Sequence, residues 1–125
     1  MFELDVGRDG HVWAVDRSQN IYWRNGITEV KKEGTDWSTT SDQGTTYGTA
    51  RQVVICENGQ SWRRNMESHL EYRTGVMQSN LQGTGWEALL DVSNVIDGVV
   101  FNDISCGLDG MFAAVDSTGW VWYRT

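Results

Sequence analysis

A segment of about thirty residues occurs twice in this chain, aligns without a gap, and begins a third time before the last residue. The first copy reads G7-R-D-G-H-V-W-A-V-D16, then I21-Y-W-R24-N-G-I, then G34-T-D-W37. The second reads C56-E-N-G-Q-S-W-R-R-N65, L70-E-Y-R73-T-G-V and G83-T-G-W86. The third reads G107-L-D-G-M-F-A-A-V-D116 and V121-W-Y-R124-T125. Gly10, Gly59 and Gly110 each stand fourteen positions before an arginine (Arg24, Arg73, Arg124), and the copies lie 49 and then 51 positions apart. A period near fifty built from short β-type runs predicts a propeller or similar array, one blade-like sheet per unit. Such a unit cannot bury both faces alone and must stack on its neighbours.

Three runs in each copy have strand character. The first covers residues 2–6, 52–55 and 99–105, the second 11–15, 60–64 and 111–115, the third 20–24, 69–73 and 119–124. They are rich in Val, Ile, Trp and Tyr and are separated by turn residues. Asp or Asn before Gly in R8-D9-G10, E57-N58-G59 and L108-D109-G110 suits tight hairpins that need positive φ. A fourth run starts at Trp37 and again at Trp86, after a longer polar loop, so the expected sheet has four antiparallel strands. The third copy ends before its fourth run. The expected fold is therefore an all-β propeller of four-stranded antiparallel blades, three per chain, with the first strand of each blade innermost. The domain expected is one, covering 1–125, with repeats at about 1–40, 41–90 and 91–125.

Charge and composition narrow the function. Ten Lys and Arg against seventeen Asp and Glu give a net charge of −7, which works against a phosphate backbone as partner. No apolar run approaches the roughly twenty residues of a membrane span. No basic start leads into an apolar stretch, so no signal peptide is visible, although a mature secreted protein would also lack one. Secreted and cytoplasmic placements both stay open. Cys56 and Cys106 sit at nearly matching columns of adjacent repeats, so a disulfide is open to them. The reading favoured from sequence is two buried free thiols.

The combined pattern G-x-D-G-x-V-W-A-V-D, I-Y-x-R-x-G-I and G-T-x-W resembles the tectonin repeat of the tectonin, tachylectin and fish egg lectin family. The likeness extends over nearly the whole chain, and copy two departs from it at Arg64-Asn65. The resemblance implies a six-bladed propeller. It also implies a non-enzymatic lectin for glycans of glycoproteins or microbial surfaces, in keeping with innate defence. Three blades per chain would then be completed by a homodimer.

Candidate ligand residues follow from the repeat. Arg24 and Arg73 offer forked donors to sugar hydroxyls. The competing reading for the recurring arginines is pairing with a blade carboxylate such as Asp16 or Asp116. Trp13, Trp62 and Trp122 vary between copies and are candidate platforms for a pyranose face, against packing as the alternative. A repeated site would give more than one sugar site per chain, near the ends of the third strands. Trp37 and Trp86 are expected to fill the space between blades. His11 and His69 fall in different columns without further ligands at metal spacing, so no metal or other cofactor is expected. The segment T40-S-D42-Q-G44-T-T46-Y47 resembles the Asp box of sialidase propellers, but it occurs once, outside the repeated columns. Two other functions remain: a protein-interaction propeller acting as an adaptor, and, less favoured, a sialidase-like hydrolase.

Overall fold

A computed structural model of the chain describes residues 3–7, 10–40, 46–77, 79–88, 99–107 and 111–124. Among these residues there is no helix, and eleven strands form three antiparallel sheets. Blade 1 contains β1 (Glu3–Val6), β2 (Val12–Val15), β3 (Ile21–Asn25) and β4 (Asp36–Ser38) in that order. Blade 2 contains β5 (Gln52–Ile55), β6 (Ser61–Arg64), β7 (Leu70–Thr74) and β8 (Gly85–Ala88), again in chain order. Blade 3 has three described strands, β9 (Phe101–Cys106), β10 (Phe112–Asp116) and β11 (Val121–Arg124).

Register follows the repeat. Arg24 pairs with Trp37 in blade 1, and Arg73 pairs with Trp86 in blade 2. The Gly-Thr dipeptide ahead of each tryptophan has a steric reason. Gly34 has φ +69°, and a Cβ on it would lie 2.5 Å from the Asn25 carbonyl oxygen. Thr35 then donates its backbone N–H to that same oxygen at 2.8 Å, which aligns β4 on β3. Gly10 and Gly59 both have φ of 91°, as the Asp/Asn-Gly turns require. The corresponding turn of the third copy, 108–110, lies outside the described residues.

The first strands line up beside one another: β1 runs next to β5, and β5 next to β9. Across these seams the Asp5 carboxylate accepts the Ile55 N–H at 2.6 Å. The Gln52 amide donates to the Asp103 carboxylate at 2.7 Å and accepts the Ile104 N–H at 3.1 Å. Two apolar cores lie between blades. One joins Trp13, Val15, Ile21 and Trp23 of blade 1 to Val53 and Ile55 of blade 2, with Tyr47 and Ala50 from the connecting segment. The other joins Val54, Cys56, Trp62 and Leu70 of blade 2 to Phe101, Ile104, Phe112 and Ala114 of blade 3. Burial between sheets is the driving term, because each blade is a thin layer without a core of its own.

Two expectations need correction. Cys56 and Cys106 form a disulfide between blades 2 and 3, with Cα atoms 5.0 Å apart. Hydrophobic composition alone favoured free thiols, whereas the near-coincidence of their columns brings adjacent blades within bridging distance. Trp86 packs against the blade 1–blade 2 core and donates its Nε1–H to the Tyr47 carbonyl at 2.8 Å. Trp37 holds the equivalent position on blade 1 but belongs to neither of the two cores between blades. It is half-buried beneath the Arg24 guanidinium, 5.1 Å from its ring centre, and fills no space between two blades of this chain.

Candidate functional site

Arg24 and Arg73 are both held by backbone carbonyls. Arg24 Nε donates to the Glu33 carbonyl at 2.9 Å, and Arg73 Nε donates to the Gln82 carbonyl at 2.6 Å. The acceptors are equivalent residues, each just before the Gly-Thr pair, so the arginine ties its strand to the loop entering the fourth strand. Asp16 and Asp116 serve another purpose. The Asp16 carboxylate accepts the Asn20 N–H and the Tyr22 hydroxyl, both at 2.9 Å. Asp116 accepts the Thr118 hydroxyl at 2.6 Å, the Thr118 and Trp120 N–H groups, and the Trp122 indole N–H at 2.9 Å. These donors hold the Asp116 carboxyl down to about 2, with the Thr118 hydroxyl the largest influence. Asn65 caps the same turn in blade 2 through the His69 N–H at 3.0 Å.

Of the five candidate ligand residues, four sit in the packing between blades. Trp13 is fully buried, edge-on to Trp23 and Tyr47, and donates its Nε1–H to Ser61 Oγ across the blades at 2.7 Å. Trp62 is buried and stacked on Phe112, with ring centres 4.4 Å apart. Trp122 is half-buried, packed against the second core and hydrogen-bonded to Asp116. Arg73 is only 1% exposed, its guanidinium 5.0, 5.5 and 5.7 Å from the rings of Trp86, Tyr47 and Trp13. Burial lowers the Arg73 pKa to about 10. The structure therefore does not bring the five together.

Arg24 alone lines an open groove. This groove of about 450 Å³ runs between the end of β3 in blade 1 and the β7–β8 loop of blade 2. Blade 1 contributes His11, Trp23, Arg24 and Asn25, and blade 2 contributes Leu81 and Gln82. His11 lies flat on Trp23, with centroids 5.2 Å apart and planes 15° from parallel, so the groove has an aromatic stack in its wall. Asn25 and Gln82, the two residues with carboxamide side chains in the described lining, border the same groove. No Asp or Glu is among the described residues that line it. His11, Asn25 and Gln82 were not singled out as ligand residues from sequence. The available signal was position, since they flank the third strand and the loop before Gly83, where loops from adjacent blades meet.

Among the described residues no three His, Cys, Asp or Glu side chains are grouped so as to hold a metal ion. The segment resembling an Asp box has residues 41–45 outside the described residues, while Tyr47 at its end is buried against Trp13.

A family model described as a propeller matches residues 11–39, which span β2 to β4 of blade 1. No curated protein matches the chain.

Proposed function

We propose that this propeller is a non-catalytic carbohydrate-binding protein of the tectonin-lectin type, and that the groove between blades 1 and 2 is its glycan site. The observation that carries the reading is the groove's chemistry. An aromatic stack of His11 on Trp23 stands next to the Asn25 and Gln82 amides, with no carboxylate in the described lining. A pyranose presents an apolar C–H face and a rim of hydroxyls; the half-buried His11 ring, backed by the buried Trp23, would meet the first, and bidentate amide hydrogen bonds the second. Glycoside hydrolysis in most enzymes needs two carboxylates flanking the scissile bond, and the lining offers neither. The tectonin-like spacing of the repeat supports the same reading, and the propeller match to blade 1 is compatible with it.

The test is a broad glycan array with the purified chain, followed by titration of the best ligand. A single sugar unit should bind weakly, in the millimolar range of about −4 kcal/mol. Asn25→Ala and Gln82→Ala should each weaken binding about tenfold, the worth of a hydrogen bond left unmade. Absence of binding across the array would discard the carbohydrate reading.

A further inference from the structure

Arg24 is the single lysine or arginine in the described lining of the groove, and its two Nη groups have no partner among the described residues. The rest of the side chain is fixed. Its Nε donates to the Glu33 carbonyl at 2.9 Å, and its guanidinium carbon lies 5.1 Å from the Trp37 ring centre. The carboxylates on either side of the Gly34-Thr35 pair are engaged elsewhere. Glu33 Oε1 is 3.7 Å from Lys31 Nζ, and the Asp36 carboxylate accepts the Thr35 hydroxyl at 2.9 Å. Seventeen acidic residues outnumber ten basic ones in this chain, yet the described lining holds none of them. Arg73 makes the same backbone tether in blade 2 but is only 1% exposed, so of this pair Arg24 alone offers its fork to solvent.

We propose that the groove selects an acidic sugar, a uronic or sialic acid unit whose carboxylate is received by the Arg24 Nη pair. A planar guanidinium presents two parallel N–H donors to the two oxygens of a carboxylate, a stronger match than to a neutral hydroxyl. The Nε tether and the Trp37 stack hold the arginine in place beforehand, so little of its rotamer freedom is lost on binding. The overall charge of −7 repels anions at a distance. At physiological salt, charges farther off than about 8 Å are largely screened, and the local cation governs the choice. This inference rests on the glycan reading of the groove and narrows its ligand class.

The test compares each acidic sugar with an uncharged twin by saturation-transfer NMR titration at physiological salt. Methyl glucuronide is set against methyl glucoside, and the methyl glycoside of N-acetylneuraminic acid against its methyl ester. Each acid should bind the unmodified chain about tenfold more tightly than its twin, the scale of a hydrogen bond to a charged group. Arg24→Gln should bring that ratio close to one, and Arg24→Lys, which keeps the charge without the fork, should leave part of it. Gln82→Glu places a carboxylate in the lining and should invert the ratio, a result that does not depend on how well an Arg24 variant folds. Twins that bind the unmodified chain equally well would overturn the acidic-sugar proposal and leave the glycan reading standing. A ratio that persists in Arg24→Gln, or that Gln82→Glu fails to lower, would overturn it too. So would tighter binding of N-acetylglucosamine carrying a sulfate ester than of either acid. If no sugar bound at all, this proposal and the reading beneath it would fall together.

Discussion

Arg73 shows how one column of a repeat can carry two roles. Its counterpart Arg24 lies at the surface over Trp37 and borders the groove, whereas Arg73 is enclosed by Trp13, Tyr47 and Trp86. Neither of its Nη atoms has a hydrogen-bonding partner among the described residues. The faces of three rings offset part of the desolvation, since each attracts a cation within about 6 Å. Burial lowers its pKa only to about 10, so the group remains charged at neutral pH. Arg73→Ala should lose about 2–5 kcal/mol of stability through the cavity it leaves. Arg73→Met, which keeps the volume and removes the charge, should unfold near or above the wild-type urea midpoint. A methionine variant as unstable as the alanine variant would show that the cation itself holds the blades together. The recurrence of the arginine was legible in the sequence. Its burial was not, because that depends on which aromatic side chains the neighbouring blade brings to the column.

At the scale of the element, the turn between the second and third strands of each blade is the best-defined local unit. Asp16, Asn65 and Asp116 hold three versions of it, and positive φ falls at Gln19 (68°), Ser68 (63°) and Gly119 (93°) in the same column. Only the third copy places glycine there, so that conformation had no uniform mark in the repeat. Asp116 is held at about 2, below an unfolded value near 3.9. A depressed carboxyl contributes stability that is complete above the unfolded value and is lost as pH falls from about 4 through about 2. Asp116→Asn retains the Oδ1 acceptor, as Asn65 does in blade 2, but has no proton to gain. Thermal unfolding of the wild type should therefore fall more steeply between pH 4 and pH 2 than that of the variant. Parallel curves would exclude Asp116 as a source of acid lability. Strand existence and order were readable from alternating Val, Ile, Trp and Tyr between turn signals. The β9–β10 register shift between Val115 and Asp116, which pairs Asp116 with Phe101, was not, because nothing in the local pattern marks it.

For the whole molecule, the seams between blades decide stability, and they are unequal. Blade 1 meets blade 2 through ring packing and the Trp13–Ser61 hydrogen bond. Blade 2 meets blade 3 through Trp62 on Phe112 and is also bridged by Cys56–Cys106, fifty residues apart in sequence. Closing a loop of that length confines the unfolded chain by about 4 kcal/mol in the chain-entropy account. Cys56→Ala with Cys106→Ala should lower the unfolding free energy by about 2–4 kcal/mol in urea titrations, with loss at the seam of blade 3. An unchanged midpoint would mean that apolar packing alone secures that seam.

The sequence by itself determined the architecture: three repeats, all-β sheets in chain order, and the column each residue occupies. Those features rest on period, side-chain alternation and turn chemistry, all of which are local. Only the tertiary structure decided which columns are covered. Trp13, Trp62 and Arg73 fall inside because blade 2 lies between two neighbours, and Tyr123 and Leu4 stay outside because their faces meet none within the chain. The disulfide and the groove of His11, Asn25 and Gln82 were decided in the same way. Each joins residues from different repeats, and contacts between repeats depend on how twisted sheets stack, which no single repeat encodes.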